Sequence, residues 1–548
     1  MALELTSFQD DSLDGDYVAY LIEQQSPDLS MRYARLWDYF RNPLSPVAGI
    51  AADAMNANSR PYVQAQELGL PARITGVQRA SGRAAVTDLA RKEVVVENDI
   101  AWRIHAMVDF LFGKPVTIRS LAGEPALAAT IEHAIGAILD ASGGTGFLQE
   151  LALLGSIYGF VDVALRTPAD GTSESGPRLP APVSTPRRPG TSSIDAAGES
   201  SSAPPGAAAI EEVGGDSTGD RSRTLIGRAL NAARRIQLET VEAPRVLPIL
   251  DEDDYRRVRY WIQCFRKYPP RLETSRRPWF RLPWVGRGSS SPAEVEVVEI
   301  LGPTWWQRYE DRRLVAEGPN SLGRLPVVHV QNLALPGSYE GLSDVEPLIP
   351  LQDELNTRLS DRAHRVTYQS FKMYLGKGID DFLERPVGPG QMWSTANLQA
   401  SIEEFGSDSG SPSEDLHIDQ VRSAMDKTSG VPPLAAGLIH GNVGNLTSAT
   451  ALKVLLSGLL SRTDRKRLTY GAGIERLVEL SLDWLDRMGA LRTHPSDRRV
   501  EIHWPEPLPV DEGERLRNAQ IKAQLGVPAD RVLAELGYDR EATGGTGA

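Results

Sequence analysis

Two long runs of helical periodicity, parted by a short interval rich in glycine and proline, govern what this chain can fold into. The first opens at Ser343-Asp344-Val345-Glu346, a capping-box pattern in which hydroxyl and carboxylate satisfy orphan N–H groups. Pro347 and Pro350 set its first turn apart, because proline past that turn removes a helical hydrogen bond. Leu351, Leu355, Leu359, Ala363 and Val366 then share one ridge to about Phe371. Asp353 and Glu354 come early and Arg358, Arg362 and Arg365 late, as the helix dipole favours. The second run, Ser448 to Met488, reads as one continuous helix carrying Leu452, Leu459, Ile474, Leu477 and Leu485, with Gly489 as its stop. At 1.5 Å per residue the two rods are roughly 30 and 60 Å long.

Between the rods, Phe371 to Leu375 alternates, glycines and prolines follow, and Gln399 to Phe405 returns as a second strand. Glu414 to Thr428 reads as a short helix, stopped by Ser429-Gly430-Val431-Pro432-Pro433. From Gly437 to Ser448, three glycines and two asparagines make a loop rather than a core element.

Upstream, Leu29 to Phe40 is an aromatic-rich amphipathic helix, read as core packing or as a subunit contact. Residues 84–113 read as another long helix, with Ile100, Ile104, Val108 and Leu111 on one face. Gly113-Lys114 is no phosphate loop, since Val108 stands where the upstream glycine is required and Pro115 replaces Ser/Thr. Phe147 to Tyr158 is a further helix running into a strand, Phe160 to Leu165. Residues 236–333 read as β-rich, with strands at Arg259–Phe265, Val295–Leu301, Trp305–Tyr309 and Val327–Val330. Val500 to Trp504 is a strand, and helices follow at Asp511–Leu525 and Pro528–Leu536.

From Thr167 to about Ser222 the chain is dominated by Pro, Gly, Ser, Ala and Thr, too few large aliphatics to offset ordering entropy. We read it as a disordered surface insertion. Its Gly215-Asp216-Ser217-Thr218-Gly219 matches the nucleophile-elbow pattern but lacks the flanking strand and helix that motif needs. Asp251 to Asp254 is a solvated acidic run rather than a metal site. The loop Arg271 to Arg287 interleaves five arginines with Trp279, Phe280 and Trp284, suited either to nucleic acid or to an acidic neighbouring subunit. The eight histidines show no metal-ligand spacing, and no catalytic constellation or cofactor motif stands out.

Bulk properties narrow the class. The 548 residues have room for two to four domains, and no run of about 18 uncharged apolar residues predicts a membrane span. The first residues are acidic and lack the basic start of a secretory signal. A net charge of −13 argues against a general nucleic-acid binder, though not against a channel through which DNA slides. Cys264 is the single cysteine, which excludes an internal disulfide and fits a small core residue.

Five blocks, in order, resemble the portal proteins of tailed bacteriophages. They are Asn98-Asp99-Ile100 with Val108-Asp109-Phe110-Leu111-Phe112-Gly113-Lys114-Pro115-Val116; Leu322 to Val328; Ser343 to Glu346 with Leu355-Asn356 and Ser360-Asp361-Arg362; Gly430-Val431-Pro432 with Asn445 to Leu452; and Trp504 to Pro509. The resemblance implies an α+β, portal-like subunit and a ring, of twelve subunits in the family, at one capsid vertex of the virion. Residues 1–166 and 223–341 would be wing, flanking the 167–222 insertion. Residues 342–371 and 414–437 would be stem helices, 372–413 a small β-rich clip, 438–447 a tunnel loop, 448–510 the long wing helix and its return, and 511–548 a helical crown and tail. It further implies that Leu351, Leu355, Leu359, Ala363 and Val366 pack subunits in the stem. Lys372, Tyr374, Lys377 and Trp393 would dock partners at the clip, and His440, Gly441, Asn442, Val443, Gly444 and Asn445 would face double-stranded DNA. That loop carries no Lys or Arg, which favours a soft neutral lining over a grip. Terminase large subunit, head-completion or adaptor protein, major capsid and scaffolding proteins would be partners, with no metal, cofactor, membrane or enzymatic activity. A minor head or tail component without a channel is the alternative.

Overall fold

The computed structural model describes residues 13–41, 77–80, 83–86, 95–167, 226–267, 295–370, 373–377, 398–405, 412–437, 449–508 and 512–536. The 167–222 insertion beyond Thr167, the Arg271–Arg287 loop and the 438–447 loop lie outside them. Helices mix with antiparallel sheets, and the chain divides into two compact units assembled from non-contiguous pieces. One comprises Met1–Ala34, His105–Ser343 and Gly441–Ala548; the other comprises Arg35–Ile104 and Asp344–His440.

The first unit is built on a five-stranded antiparallel meander, β6 (Val246–Leu250), β7 (Val258–Lys267), β8 (Val295–Leu301), β9 (Trp305–Glu310) and β10 (Arg313–Pro319), paired in sequence order. Alternation along β7 sends Tyr260 and Ile262 to one face. There Leu13, Val18, Leu21 and Ile22 of the N-terminal helical segment cover them together with Val298, Ile300 and Trp305. Cys264 packs partly buried against this core, and burial pushes its thiol up to about 12, so it is an inert filler.

On the opposite face lies Gln263, and with Glu299 it meets Arg166 at the end of β4 (Phe160–Arg166). The fully buried guanidinium takes Glu299 at 2.7 Å and Glu239 at 2.9 Å. Strand β4 is central in a second sheet, between β5 (Gln237–Glu242) and β11 (Val327–Gln331). A third pairing joins β3 (Thr117–Ser120) to β14 (Val500–His503).

Helix Thr145–Tyr158 ends at left-handed Gly159 and feeds directly into β4, as its apolar pattern predicts. The expected single helix from Ser448 is two, Ala449–Leu455 and Ser457–Arg487, with Leu456 out of helical geometry at the junction. Ser457-Gly458, both weak helix formers, sit at the break. The longer piece stops as expected: Gly489 adopts φ +64, and the amides of Gly489 and Ala490 return to Asp486 and Leu485, a Schellman motif. This helix lies close to its neighbours because glycines remove bulk. A Cβ on Gly473 would sit 2.6 Å from Val330, and one on Gly155 would sit 2.1 Å from the Tyr470 hydroxyl.

The second unit contains the hairpin β1 (Val77–Ala80) and β2 (Arg83–Val86), an extended strap at 95–98, and the start of helix Asp99–Phe112. It continues with the 3-10 turn Glu346–Leu348, helix Ile349–Ser370, the hairpin β12 (Met373–Lys377) with β13 (Ser401–Phe405), and helix Pro412–Ser429. Within the described residues, the helix expected over 84–113 is strand at 84–86, non-helical at 95–98 and helical from Asp99 to Phe112. Val94-Val95-Val96 is β-branched and favours extended backbone, and Asn98 caps the start by accepting the Ala101 amide at 3.0 Å. Ser343 Oγ donates to the Ile157 carbonyl at 2.6 Å, and the following turn is capped by Val345 without a side-chain bond.

Candidate functional site

Helix Ile349–Ser370 is where the sequence concentrates its candidate residues, and its most buried face is polar. Gln352, Asn356 and Ser360, each 0–1% exposed, recur every fourth residue and therefore stack on one side. They grip the main chain of the strap. Gln352 Oε1 accepts the Asp99 amide at 3.2 Å, Asn356 Oδ1 the Glu97 amide at 3.0 Å, and Ser360 Oγ the Val95 amide at 2.9 Å. Gln352 Nε2 donates back to the Glu97 carbonyl at 2.6 Å. The two repeats match physically: four helical residues rise about 6 Å, and two extended residues advance about 6.6 Å. The strap, which joins no sheet among the described residues, thus finds partners for its part-buried amides, which would otherwise carry a cost of desolvation.

The strap continues into Asp99 and Arg103. Arg103 is buried and binds Asp99 at 2.9 Å and Asp426 of helix Pro412–Ser429 at 2.5 Å, and it stacks over Trp102. Arg422 reaches Glu97 at 2.6 Å.

Ion pairs along the two helices run in opposite order, Glu354 with His417, Arg362 with Asp415, and Arg365 with Glu414, so the helices are antiparallel. Ile418, Val421 and Met425 are buried beneath these pairs. Burial alone would raise the Glu354 carboxyl. The hydrogen bonds from His417 and Arg358 outweigh it and hold that carboxyl below its ordinary value. The helix–hairpin–helix order read from the sequence is thereby present, with the two helices clasped by charge on the surface and by aliphatics within.

Of the expected stem residues, Leu355 is fully buried, Leu351, Leu359 and Ala363 are half-buried, and Val366 is 52% exposed. The ridge thus runs from the unit's interior to its surface. Lys377 ends β12 exposed opposite Ser401, and Tyr374 lies in the same strand opposite Glu404. Lys372, Trp393 and the whole of His440 to Asn445 lie outside the described residues. The polar stripe Gln352–Asn356–Ser360 was missed because amides and hydroxyls at helical spacing read as a solvent face. Their four-residue recurrence was the available signal.

Residues 304–536 match the family model described as phage portal protein, SPP1 Gp6-like. Four of the five resembling blocks fall inside that span, and the block at 98–116 lies outside it. No curated protein matches the chain. Among solved structures it is similar to a chain in the neck of an empty GTA particle computed with C6 symmetry, with TM-score 0.42 and 10% identity over 80% of this chain and 90% of that one. It is also similar to a chain in the virion of a native gene transfer agent particle, with TM-score 0.36 and 12% identity over 80% and 93%.

Proposed function

From the match of residues 304–536 to the family model described as phage portal protein, SPP1 Gp6-like, we propose that this chain is one subunit of a portal ring that serves as the channel for genome packaging and ejection. The observation carrying the reading is the matched segment itself, whose helix, antiparallel hairpin, helix and long helix follow in the order such a subunit requires. Residues 342–371 and 414–437 act as the stem, 372–413 as the clip that receives the packaging motor and later the head-completion protein, and 438–447 as the tunnel loop. Residues 448–510 span the wing and 511–548 form the crown. The wing takes residues 1–166 and 223–341, with 167–222 on its outside. The partly exposed end of the Leu351–Val366 ridge meets a neighbouring subunit, since a head-to-tail contact that closes on itself makes a ring. The protein's role is mechanical and structural, at the portal vertex of the virion, in contact with capsid and scaffolding proteins.

Mass measurement and electron imaging of the purified chain test this directly. Rings of about twelve subunits with a central hole are expected. A chain that stays monomeric at high concentration, alone and with capsid and scaffolding protein, would overturn the ring. Deleting Gly441–Asn445 is expected to leave the ring intact and to impair DNA packaging or retention; unimpaired packaging would remove the loop from the channel wall.

A further inference from the structure

A cavity of about 600 Å³ opens in the first unit, lined by the N-terminal helical segment, Phe160, Val246 and Ser338 to Glu340. Its floor is aromatic: Tyr33, Phe160 and Tyr339 are buried, Tyr33 against Phe160 at 6.2 Å and Phe160 against Tyr339 at 5.4 Å, with His329 stacked on Tyr339 at 3.8 Å. Hydrogen bonds fix these rings in place. Tyr339 donates to the buried Asp162 carboxylate, which also takes the Trp261 indole at 2.7 Å, and Tyr33 donates to Glu340 at 2.9 Å. The rim is formed by exposed Tyr20, Gln24 and Asp28, on and beside a π-helical stretch at Leu21–Gln25. Wide π turns of this kind recur at functional sites, where they re-aim side chains.

The lining holds carboxylates at Asp28 and Glu340, the second of them paired with Arg32 beside it. Aromatic faces together with carboxylates select an organic cation, because the ring quadrupole and the full negative charge both attract it. Beside the lining the chain already makes one such contact: Arg32 binds Glu340 at 2.7 Å and lies 5.7 Å over Tyr33. That pair uses one lone pair of Glu340 and Tyr33 a second, leaving acceptor capacity on a carboxylate with roughly four sites. A planar guanidinium suits this setting better than an ammonium, since it stacks on rings and forks onto carboxylates.

We propose that this cavity is a binding site for an arginine side chain presented by a protein partner. Charge complementarity and the pre-fixed aromatic floor select that occupant, and the site stands whether or not the chain forms a portal ring.

The test uses the full chain and a short fluorescent peptide with one central arginine, compared with the same peptide carrying citrulline, which keeps the shape and loses the charge. Fluorescence anisotropy is expected to show binding that weakens about tenfold with citrulline, or on Asp28→Asn or Tyr20→Ala. Asp28 and Tyr20 are exposed, so thermal melts of those variants should match the parent and separate lost binding from lost fold. Equal affinity for arginine and citrulline, indifference to both substitutions, or no binding at millimolar peptide would each overturn the proposal. Displacement of the peptide by tetramethylammonium at far lower concentration than by free arginine would assign the cavity to a small quaternary amine instead and also overturn it.

Discussion

The side-chain carbonyl of Asn356 accepts the main-chain amide of Glu97 at 3.0 Å, across 259 residues of sequence. Replacing Asn356 with Leu leaves that part-buried amide without its partner, so a loss of about 1 kcal/mol is expected. Asn356→Asp keeps an acceptor oxygen and should retain more of the stability. Urea midpoints of the three proteins decide this; equal midpoints would mean the strap is held by other contacts.

Arg166 and Glu299 form a pair with almost no solvent contact, at 2.7 Å. Arg166→Met leaves Glu299 buried without its cation and should cost about 3–5 kcal/mol. Adding Glu299→Leu should recover a large part of that cost, because the isolated charge goes with it. A double variant no more stable than Arg166→Met would show that Gln263 and Glu239, rather than the stranded charge, set the penalty.

Gly155 is required by Tyr470. A methyl group at 155 would fall 2.1 Å from the Tyr470 hydroxyl, and overpacking of this kind costs about 1–3 kcal/mol. In a Tyr470→Phe background the obstructing oxygen is absent, so Gly155→Ala should cost much less there. A double-mutant cycle read by thermal denaturation measures the coupling, and additive effects would refute the contact.

Acid should loosen the helix pair. The Glu354 carboxyl titrates below its ordinary 4.5 in the folded chain, through bonds from His417 and Arg358 that outweigh burial. A depressed folded value contributes stability that is present above the unfolded value and lost as pH falls through the folded one. Glu354→Gln should therefore flatten the fall in urea midpoint between about pH 5 and pH 3. An unchanged slope would exclude Glu354 as a contributor.

The elements that the sequence made legible are those with a single dominant period. Strands β7, β8, β9 and β11, the β12–β13 hairpin and helix Pro412–Ser429 all follow from apolar alternation or helical spacing. Gly489 was readable as a stop because only its left-handed backbone closes that helix end. Residues 84–86 and 95–98 misled because the alanines and charged residues of that stretch suggest helix, whereas β-branched Val95 and Val96 favour extended backbone and Asn98 caps the start at Asp99. The strap ladder was illegible for a different reason. Gln352, Asn356 and Ser360 are informative only once the strap lies against them, and helical spacing of polar groups otherwise signals solvent. The candidate loop residues were chosen by composition and family resemblance, and they lie outside the described residues.

Both units are stitched from segments far apart in the chain, and strand β14 at Val500–His503 pairs with β3 at Thr117–Ser120. For a ribosome synthesising from the N-terminus, this ordering has a cost in time. The second unit lacks its clasping helix until Ser429 has emerged, and β3 waits for a partner that begins at Val500, far downstream. Neither unit can settle as an early folding island in the usual N-to-C succession. A nascent chain therefore carries open strand edges and bare helix faces until translation is nearly complete, so premature termination should yield aggregates rather than soluble fragments.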